Sequence, residues 1–214
     1  MNQMTLGSLT AAPMRRPTQR ALAKLRTREK ILAAAKALFT ERGYEGATIR
    51  DIASGAGMST GAVFASFTDK SDLFAEIVRT EQTALFDALR HAAEGLTPKA
   101  AILAMVDAAA ERHMADLALL QATMSALWAP GLGAQLRSRV GLKSVSELIV
   151  RTLTAGIESG EITVAADPVL IAAMLRDSYV SVLSRAAREG VTLEGVKRRA
   201  KAEVEIILAG AQKR

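Results

Sequence analysis

The chain has 214 residues, of which 50% are apolar and 4% aromatic, and it contains no cysteine. This length can bury one sizeable core or two small ones, and abundant alanine favours an all-helical protein. The lack of cysteine excludes disulfides and thiolate metal sites. No apolar run approaches the roughly 20 residues of a membrane span, and no signal-peptide order is present, so the sequence predicts a cytoplasmic protein with no membrane partner.

The net charge of +6 is concentrated at the N-terminal end. Residues 1–30 hold seven basic residues and one acidic residue, which accounts for the whole of it. Residues 1–20 contain glycine and two prolines and show no helical period, so they are predicted to be flexible. A basic segment of this kind follows DNA phosphates or enters a minor groove, or else it is a solvated tail.

The first helical pattern covers Thr27–Ala47, with apolar residues at helical spacing and an expected end at Gly43. Two short helices joined by a turn are predicted next, over residues 48–67. Thr48 caps the first of them, and Asp51 can return a bond to the backbone of the cap. Ser59 caps the second, after a turn that is bracketed by glycines. Because these helices share one apolar face, they form a helix-turn-helix, which places its second helix in the DNA major groove.

Further helices follow, each bounded by capping residues, glycine or proline. They are predicted over about residues 70–94, 98–113, 114–128, 134–140, 142–158, 168–190 and from 192 onward. The segment 161–165 has strand-type residues without a partner strand and is predicted to be a loop.

Residues 26–78 resemble the DNA-binding domain of the TetR family of transcriptional regulators. The segments that carry the resemblance are ILAAAKALFTERGYEGAT, IRDIASGAGMSTGAVFASF and DKSDLF. The resemblance implies an all-α protein with a flexible basic arm (1–25), a three-helix DNA-binding domain (26–75) and a helical bundle for ligand binding and dimerisation (76–214).

The same resemblance places the helix 59–67 in the major groove of a double-stranded DNA operator. Thr60 can hydrogen-bond a base edge or a phosphate, and Ala62 can meet a thymine methyl. Gly61 permits close backbone approach, the alternative being tight packing against the first helix. Together with the arm and the phosphate-directed groups, the expected DNA contacts are Arg15, Arg16, Arg28, Thr48, Ser59, Thr60, Gly61, Ala62, Phe64, Ala65 and Lys70.

Two positions depart from the family pattern. Phe64 stands where tyrosine is usual, and a large polar or basic residue is usual at the position of Ala65 or of Ser66. The side chains of Phe64 and Ala65 cannot hydrogen-bond to DNA, so this helix offers few groups for direct readout of bases. We therefore expect the arm to supply an unusual share of the affinity, and removal of residues 1–20 to cut it at least about tenfold.

The resemblance also implies that the last two helices form a homodimer interface, and a dimer suits an operator with paired half-sites. The candidates, which can also face their own core, are Val180, Leu183, Ser184, Val204, Ile207 and Leu208. Residues suited to an adaptable apolar pocket, or else to the core, are Phe86, Met105, Met124, Trp128, Met174 and Tyr179.

The sequence therefore predicts a ligand-responsive repressor that a small apolar or amphipathic effector releases from its operator. An activator, an architectural or ligand-independent DNA binder, and a helical interaction module remain alternatives. An enzyme is not expected: residues 57–61 fit the G-x-S-x-G pattern, but no strand pattern precedes them. No cofactor or metal site is implied, since His91 and His113 lack ligand spacing.

Overall fold

The computed structural model describes residues 18–140, 143–162 and 167–210. Within these ranges the chain is helical and has no strand. The helices are α1 (Gln19–Gly46), α2 (Ile49–Gly55), α3 (Thr60–Phe64), α4 (Lys70–Ala93), α5 (Pro98–Ala115), α6 (Leu117–Trp128), α7 (Leu132–Val140), α8 (Lys143–Glu158), α9 (Pro168–Glu189) and α10 (Leu193–Gly210). The all-α prediction is confirmed, whereas Arg15, Arg16 and most of the expected loop 161–165 lie outside the described residues.

Helix α1 begins at Gln19, inside the segment that was expected to be a flexible arm. Thr18 caps it, because its hydroxyl accepts the backbone N–H of Ala21 at 3.2 Å. The side chains of residues 18–26 are exposed, so this first part of α1 buries no apolar stripe. Its alanine, leucine, lysine and arginine residues have high helix propensity, which extends the helix without an apolar period. The expectation of a flexible segment is therefore wrong from Gln19 onward.

Gly43 breaks α1 as expected, with φ 72° and ψ 178°, and one further turn reaches Gly46. At the next boundary, the Thr48 hydroxyl accepts the backbone N–H of Asp51 at 3.2 Å. Asp51 returns the interaction through its side chain, since its carboxylate accepts from the Thr48 hydroxyl at 2.7 Å. This pairing lowers the pKa of Asp51.

The first apolar cluster joins α1–α4 to α6 and α7. Its fully buried members include Ile31, Phe39, Ile52, Val63 and Leu73. Leu119 and Leu127 of α6 and Leu136 of α7 belong to the same cluster, as do Ile77 and Val78 of α4. The core of the first three helices therefore continues beyond residue 75 and takes part of its wall from the C-terminal half.

The second cluster joins α4, α5, α8, α9 and α10, and it includes Leu85 and Leu89 of α4 beside Met105 and Leu153. The third cluster joins α5, α9 and α10, and its buried members are Ala110, Val182, Leu183, Ala186, Val196 and Ala200. Helix α4 therefore contributes its N-terminal half to one core and its C-terminal half to another. None of the helices in the described ranges is long and apolar enough to cross a membrane.

Candidate nucleic-acid interface

The two-helix motif is fixed by its caps and by one glycine turn. Gly57 has φ 67°, a conformation that favours glycine. The Met58 N–H returns to the carbonyl of Ala53 at 2.9 Å, which closes the end of α2. The Ser59 hydroxyl then accepts the N–H of Ala62 at 3.2 Å, so the predicted cap of α3 is confirmed. Because a helical turn precedes Ser59, the structure has no nucleophile elbow at this serine.

Helix α3 turns one side to the core and leaves the other free. Val63 is fully buried and Phe67, just past the helix, is 2% exposed. The free side carries Thr60, Gly61 and Phe64, and Phe64 is 55% exposed. The outward-facing set, with Ala62 half-buried, is Thr48, Ser59, Thr60, Gly61, Ala62, Phe64 and Ala65. These predicted contact residues are therefore accessible to a partner, and their contact with DNA stays a prediction.

Gly61 has open space around its Cα. A Cβ placed there would meet only the Ser59 hydroxyl, at 3.7 Å, which is ordinary van der Waals contact. The alternative of tight packing against α1 does not apply, since no atom of α1 is nearby. The protein fold therefore does not require glycine at this position.

Arg28 lies against the end of the motif instead of projecting freely. Its guanidinium donates to the carbonyl of Ser66 at 2.8 Å and pairs with Glu76 at 3.3 Å. It also stacks over the Phe67 ring, 4.1 Å from the ring centroid. These contacts give Arg28 a structural role in tying α1 to the segment after α3, beside its predicted contact with DNA.

Lys70 is likewise engaged by the protein. Its ammonium donates to the carbonyls of Tyr44 and Ala47 at 2.9 and 3.1 Å. The same ammonium lies 4.3 Å from the centroid of the Tyr44 ring. Lys70 thereby satisfies carbonyl groups near the end of α1, a role that its sequence position did not indicate. Its predicted contact with a phosphate remains untested.

Further basic side chains lie on the exposed start of α1. Arg20 and Lys24 are exposed and stand four residues apart, which places them on one face of the helix. Leu22 and Leu25 are also exposed, at 40% and 53%. The sequence shows the i, i+4 spacing of these two residues. It does not predict a helix over residues 19–26, and only a helix brings the two side chains to one face.

The structure does not gather the predicted pocket residues into one site. Met105 is buried in the second cluster, and Tyr179 packs at the border of the second and third clusters. Met124 instead packs against the first cluster. Trp128 is 70% exposed and Met174 48% exposed. Phe86 is half-buried on α4. A pocket that uses all six side chains is therefore absent from this arrangement.

A polar junction that the sequence did not reveal lies between α1, α4 and α5. Lys36 donates to one oxygen of Glu81 at 2.7 Å, and Arg112 donates to the other at 2.9 Å. Burial opposes ionisation of Glu81, but the bonds and charges of these two cations outweigh it and lower its pKa. Next to Arg112, His113 Nδ1 lies 3.0 Å from the Tyr179 hydroxyl. Burial, with the charge of Arg112, lowers the pKa of His113 to about 4, so its ring is neutral near pH 7.

The junction borders a small cavity of about 50 Å³ between α4, α5 and α6. Its polar wall includes Glu81, Arg112 and His113. Its apolar wall is formed by Val78, Leu85, Leu119 and Leu120. The cavity is far smaller than the roughly 300–1,000 Å³ of ordinary ligand pockets, so it offers room for one small group beside convergent polar side chains.

Three of the predicted dimer residues are already buried within one protomer. Leu183, Val204 and Leu208 are 4%, 5% and 6% exposed, and they pack into the second and third clusters. They cannot present their side chains to a second chain in this arrangement. Val180, Ser184 and Ile207 are half-buried. The exposed large apolar side chains on α9 and α10 are Val169, Leu170, Met174 and Ile206.

A capped two-helix motif with an exposed second helix, joined to a helical bundle, defines a helix-turn-helix protein of the DNA-binding class. Residues 31–77 match the family model of bacterial regulatory proteins of the tetR family. The repressor KstR2 of Rhodococcus jostii strain RHA1 is 31% identical over 188 residues, 86% of this chain and 90% of that protein. The chain therefore belongs to the TetR family of transcriptional regulators.

Two further similarities concern parts of the protein or its fold. The repressor AcnR of Corynebacterium glutamicum is 44% identical over 55 residues, which are 26% of this chain and only 29% of AcnR. The regulator FadR of Bacillus subtilis, solved in complex with stearoyl-CoA, superposes with a TM-score of 0.75 at 21% identity. That match covers 85% of this chain and 98% of FadR, and it shows the shared fold.

Proposed function

We propose that this protein is a ligand-responsive repressor that binds a double-stranded DNA operator as a homodimer. Helix α3 of each protomer enters the major groove, and a small apolar or amphipathic effector releases the dimer. The exposed side of α3, held by the Ser59 cap and by the buried Val63, supports the DNA-binding part. AcnR and KstR2 are repressors, which supports repression and not activation as the role of this protein.

The observation that carries the regulatory part is the division of α4 between two cores. Leu73 is packed with α1 and α2, whereas Leu85 and Leu89 are packed with α5 and α8 to α10. A shift of the bundle therefore moves the N-terminal half of α4, and with it the separation of the recognition helices in a dimer. Adjacent major grooves are about 34 Å apart, so a changed separation lowers affinity. The effector must bind the two states with different affinity.

The dimer surface that we propose includes the exposed apolar residues Val169, Leu170, Met174 and Ile206 of α9 and α10. Val180, Ser184 and Ile207 adjoin it as half-buried neighbours. Exposed apolar residues of this kind are typical of subunit contacts.

The test is fluorescence anisotropy with the protein's own upstream intergenic DNA and a scrambled control, at low and physiological salt. We expect a preference for the native DNA of at least about a thousandfold. Equal, salt-sensitive binding to both would instead favour an architectural role. No binding at low salt would favour an interaction module and overturn the proposal. Transcription from the same promoter in vitro distinguishes repression from activation.

A further inference from the structure

The arginine at the polar junction uses only part of its hydrogen-bonding capacity. Arg112 donates from Nη2 to Oε2 of Glu81 at 2.9 Å. Its Nε is buried and has no hydrogen-bond partner among the described residues. Nε and Nη2 form one edge of the guanidinium, and a carboxylate placed side-on accepts from both. Glu81 therefore fills half of a two-donor edge and leaves a buried N–H unpaired.

The surroundings of this edge suit a small anionic group beside an apolar wall. The adjoining cavity of about 50 Å³ has room for one carboxylate, since a water molecule takes roughly 30 Å³ in the liquid. Val78, Leu85 and Leu119 form the apolar wall of this cavity.

The acidic groups at this cavity already have another cation. Lys36 lies 2.7 Å from Glu81 and 3.5 Å from Asp116. Asp116 also accepts the backbone N–H of Leu119 as the cap of α6. If Arg112 turns to another anion, Glu81 remains paired with Lys36. The exchange therefore leaves no carboxylate without a partner.

We propose that the effector carries a carboxylate that binds side-on to Arg112 and displaces Glu81 from it. This inference rests on the proposed function, because it takes the cavity to be the effector site. Once displaced, Glu81 is held by Lys36 alone. Lys36 belongs to α1 and Arg112 to α5, so the exchange removes the polar link that Glu81 makes between α1 and α5, while the apolar packing of α4 against α5 remains. The carboxylate thereby acts on the junction where the two cores meet.

The test measures binding of butyrate and octanoate, each beside its uncharged primary amide, by calorimetry on the full chain at pH 7.5. We expect the wild type to prefer at least one acid over its amide by about tenfold or more. Glu81→Gln removes the competing charge, so the preference increases at least about threefold. Arg112→Gln abolishes the preference. The matched control is Arg176→Gln, at an exposed arginine of α9, which leaves the preference unchanged.

Equal binding of acid and amide by the wild type overturns the proposal, as does the absence of binding of both acids at millimolar concentration. A weaker preference in Glu81→Gln overturns the competition, because Glu81 would then only position Arg112. If circular dichroism shows that Arg112→Gln does not fold, Arg112→Lys takes its place. Lysine keeps the positive charge but lacks the two-donor edge of the guanidinium, so an unchanged acid preference in Arg112→Lys overturns the side-on contact. Anisotropy with operator DNA, in the absence of the acids and amides, is a separate readout. If the wild type prefers the acid over its amide but does not bind operator DNA, the proposed function alone is overturned.

Discussion

The ammonium of Lys36 in α1 donates to Oε1 of Glu81 in α4 at 2.7 Å, at the point where two apolar cores meet. The two side chains are 39% and 32% exposed, so solvent screens the pair and its contribution to stability is modest. Its position matters more than its strength, because Glu81 also binds Arg112 of α5. The pair therefore links the placement of α1 to that of the bundle.

A double-mutant cycle of Lys36→Met and Glu81→Gln is expected to give a coupling energy of about 0.5–1 kcal/mol. The hydrogen bond that Lys36 donates to Glu81 raises the pKa of Lys36 above 10.5, so its contribution is complete below 10.5 and is lost as pH rises through the folded value. The pKa of Glu81 lies below 4.5, so its contribution is complete above 4.5 and is lost as pH falls. Urea unfolding at several pH values measures this, and zero coupling near neutral pH would contradict it.

Acid should destabilise the fold through His113. Its pKa is lowered to about 4 by burial and by Arg112, against 6.5 ordinarily, so unfolding takes up a proton between these values. The stability from the neutral ring is complete above pH 6.5 and falls toward pH 4, by at most about 3 kcal/mol. His113→Gln should flatten this part of the urea-unfolding profile. His91→Gln is the control, since that side chain is 86% exposed; an equal effect of both would contradict the assignment.

Gly61→Ala should leave the fold intact while weakening DNA binding. The added methyl meets only the Ser59 hydroxyl at 3.7 Å, and alanine improves helix propensity by up to about 1 kcal/mol. Loss of operator affinity without loss of thermal stability would show that glycine serves the DNA contact. Gly57→Ala is the contrasting variant, because φ 67° is unfavourable for alanine and should cost about 1 kcal/mol. Unchanged affinity in Gly61→Ala would contradict the close approach.

Substitution of two arginines of α1 should distinguish a residue that stabilises the fold from one that only contributes charge to DNA binding. Arg28→Ala removes contacts with Ser66, Glu76 and the Phe67 ring and should lower the unfolding free energy by about 1–2 kcal/mol. Arg20→Ala, at an exposed position, should change stability by less than about 0.5 kcal/mol. If Arg20 meets a phosphate, its loss lowers the salt slope of DNA binding by about 1. Equal destabilisation by both variants would contradict the structural role of Arg28.

Removal of residues 1–17 should lower DNA affinity at least about tenfold and flatten the salt dependence, because Arg15 and Arg16 are lost. Cutting there keeps Thr18, whose hydroxyl caps α1. Removal of residues 1–20 would also disturb the helix start and mix two effects. Anisotropy over a salt series measures the result, with helicity by circular dichroism as the control. An unchanged slope would argue against the arm.

Features that depend on short-range chemistry follow from the amino-acid sequence alone. Neighbours a few positions away in the chain specify the caps Thr48 and Ser59, the turn at Gly57 and the helical spacing of apolar residues along α1. Local hydrogen bonding and helical periodicity fix these features, so the motif and its exposed side were predictable.

Contacts between side chains of different helices depend on the tertiary packing. Nothing near Lys36 in the chain indicates Glu81, which lies 45 residues away, or Arg112 beyond it. The same holds for Leu183 and Val204, whose apolar character fits a core or an interface equally well. Burial depends on how the helices pack against each other, and their order along the chain does not specify it.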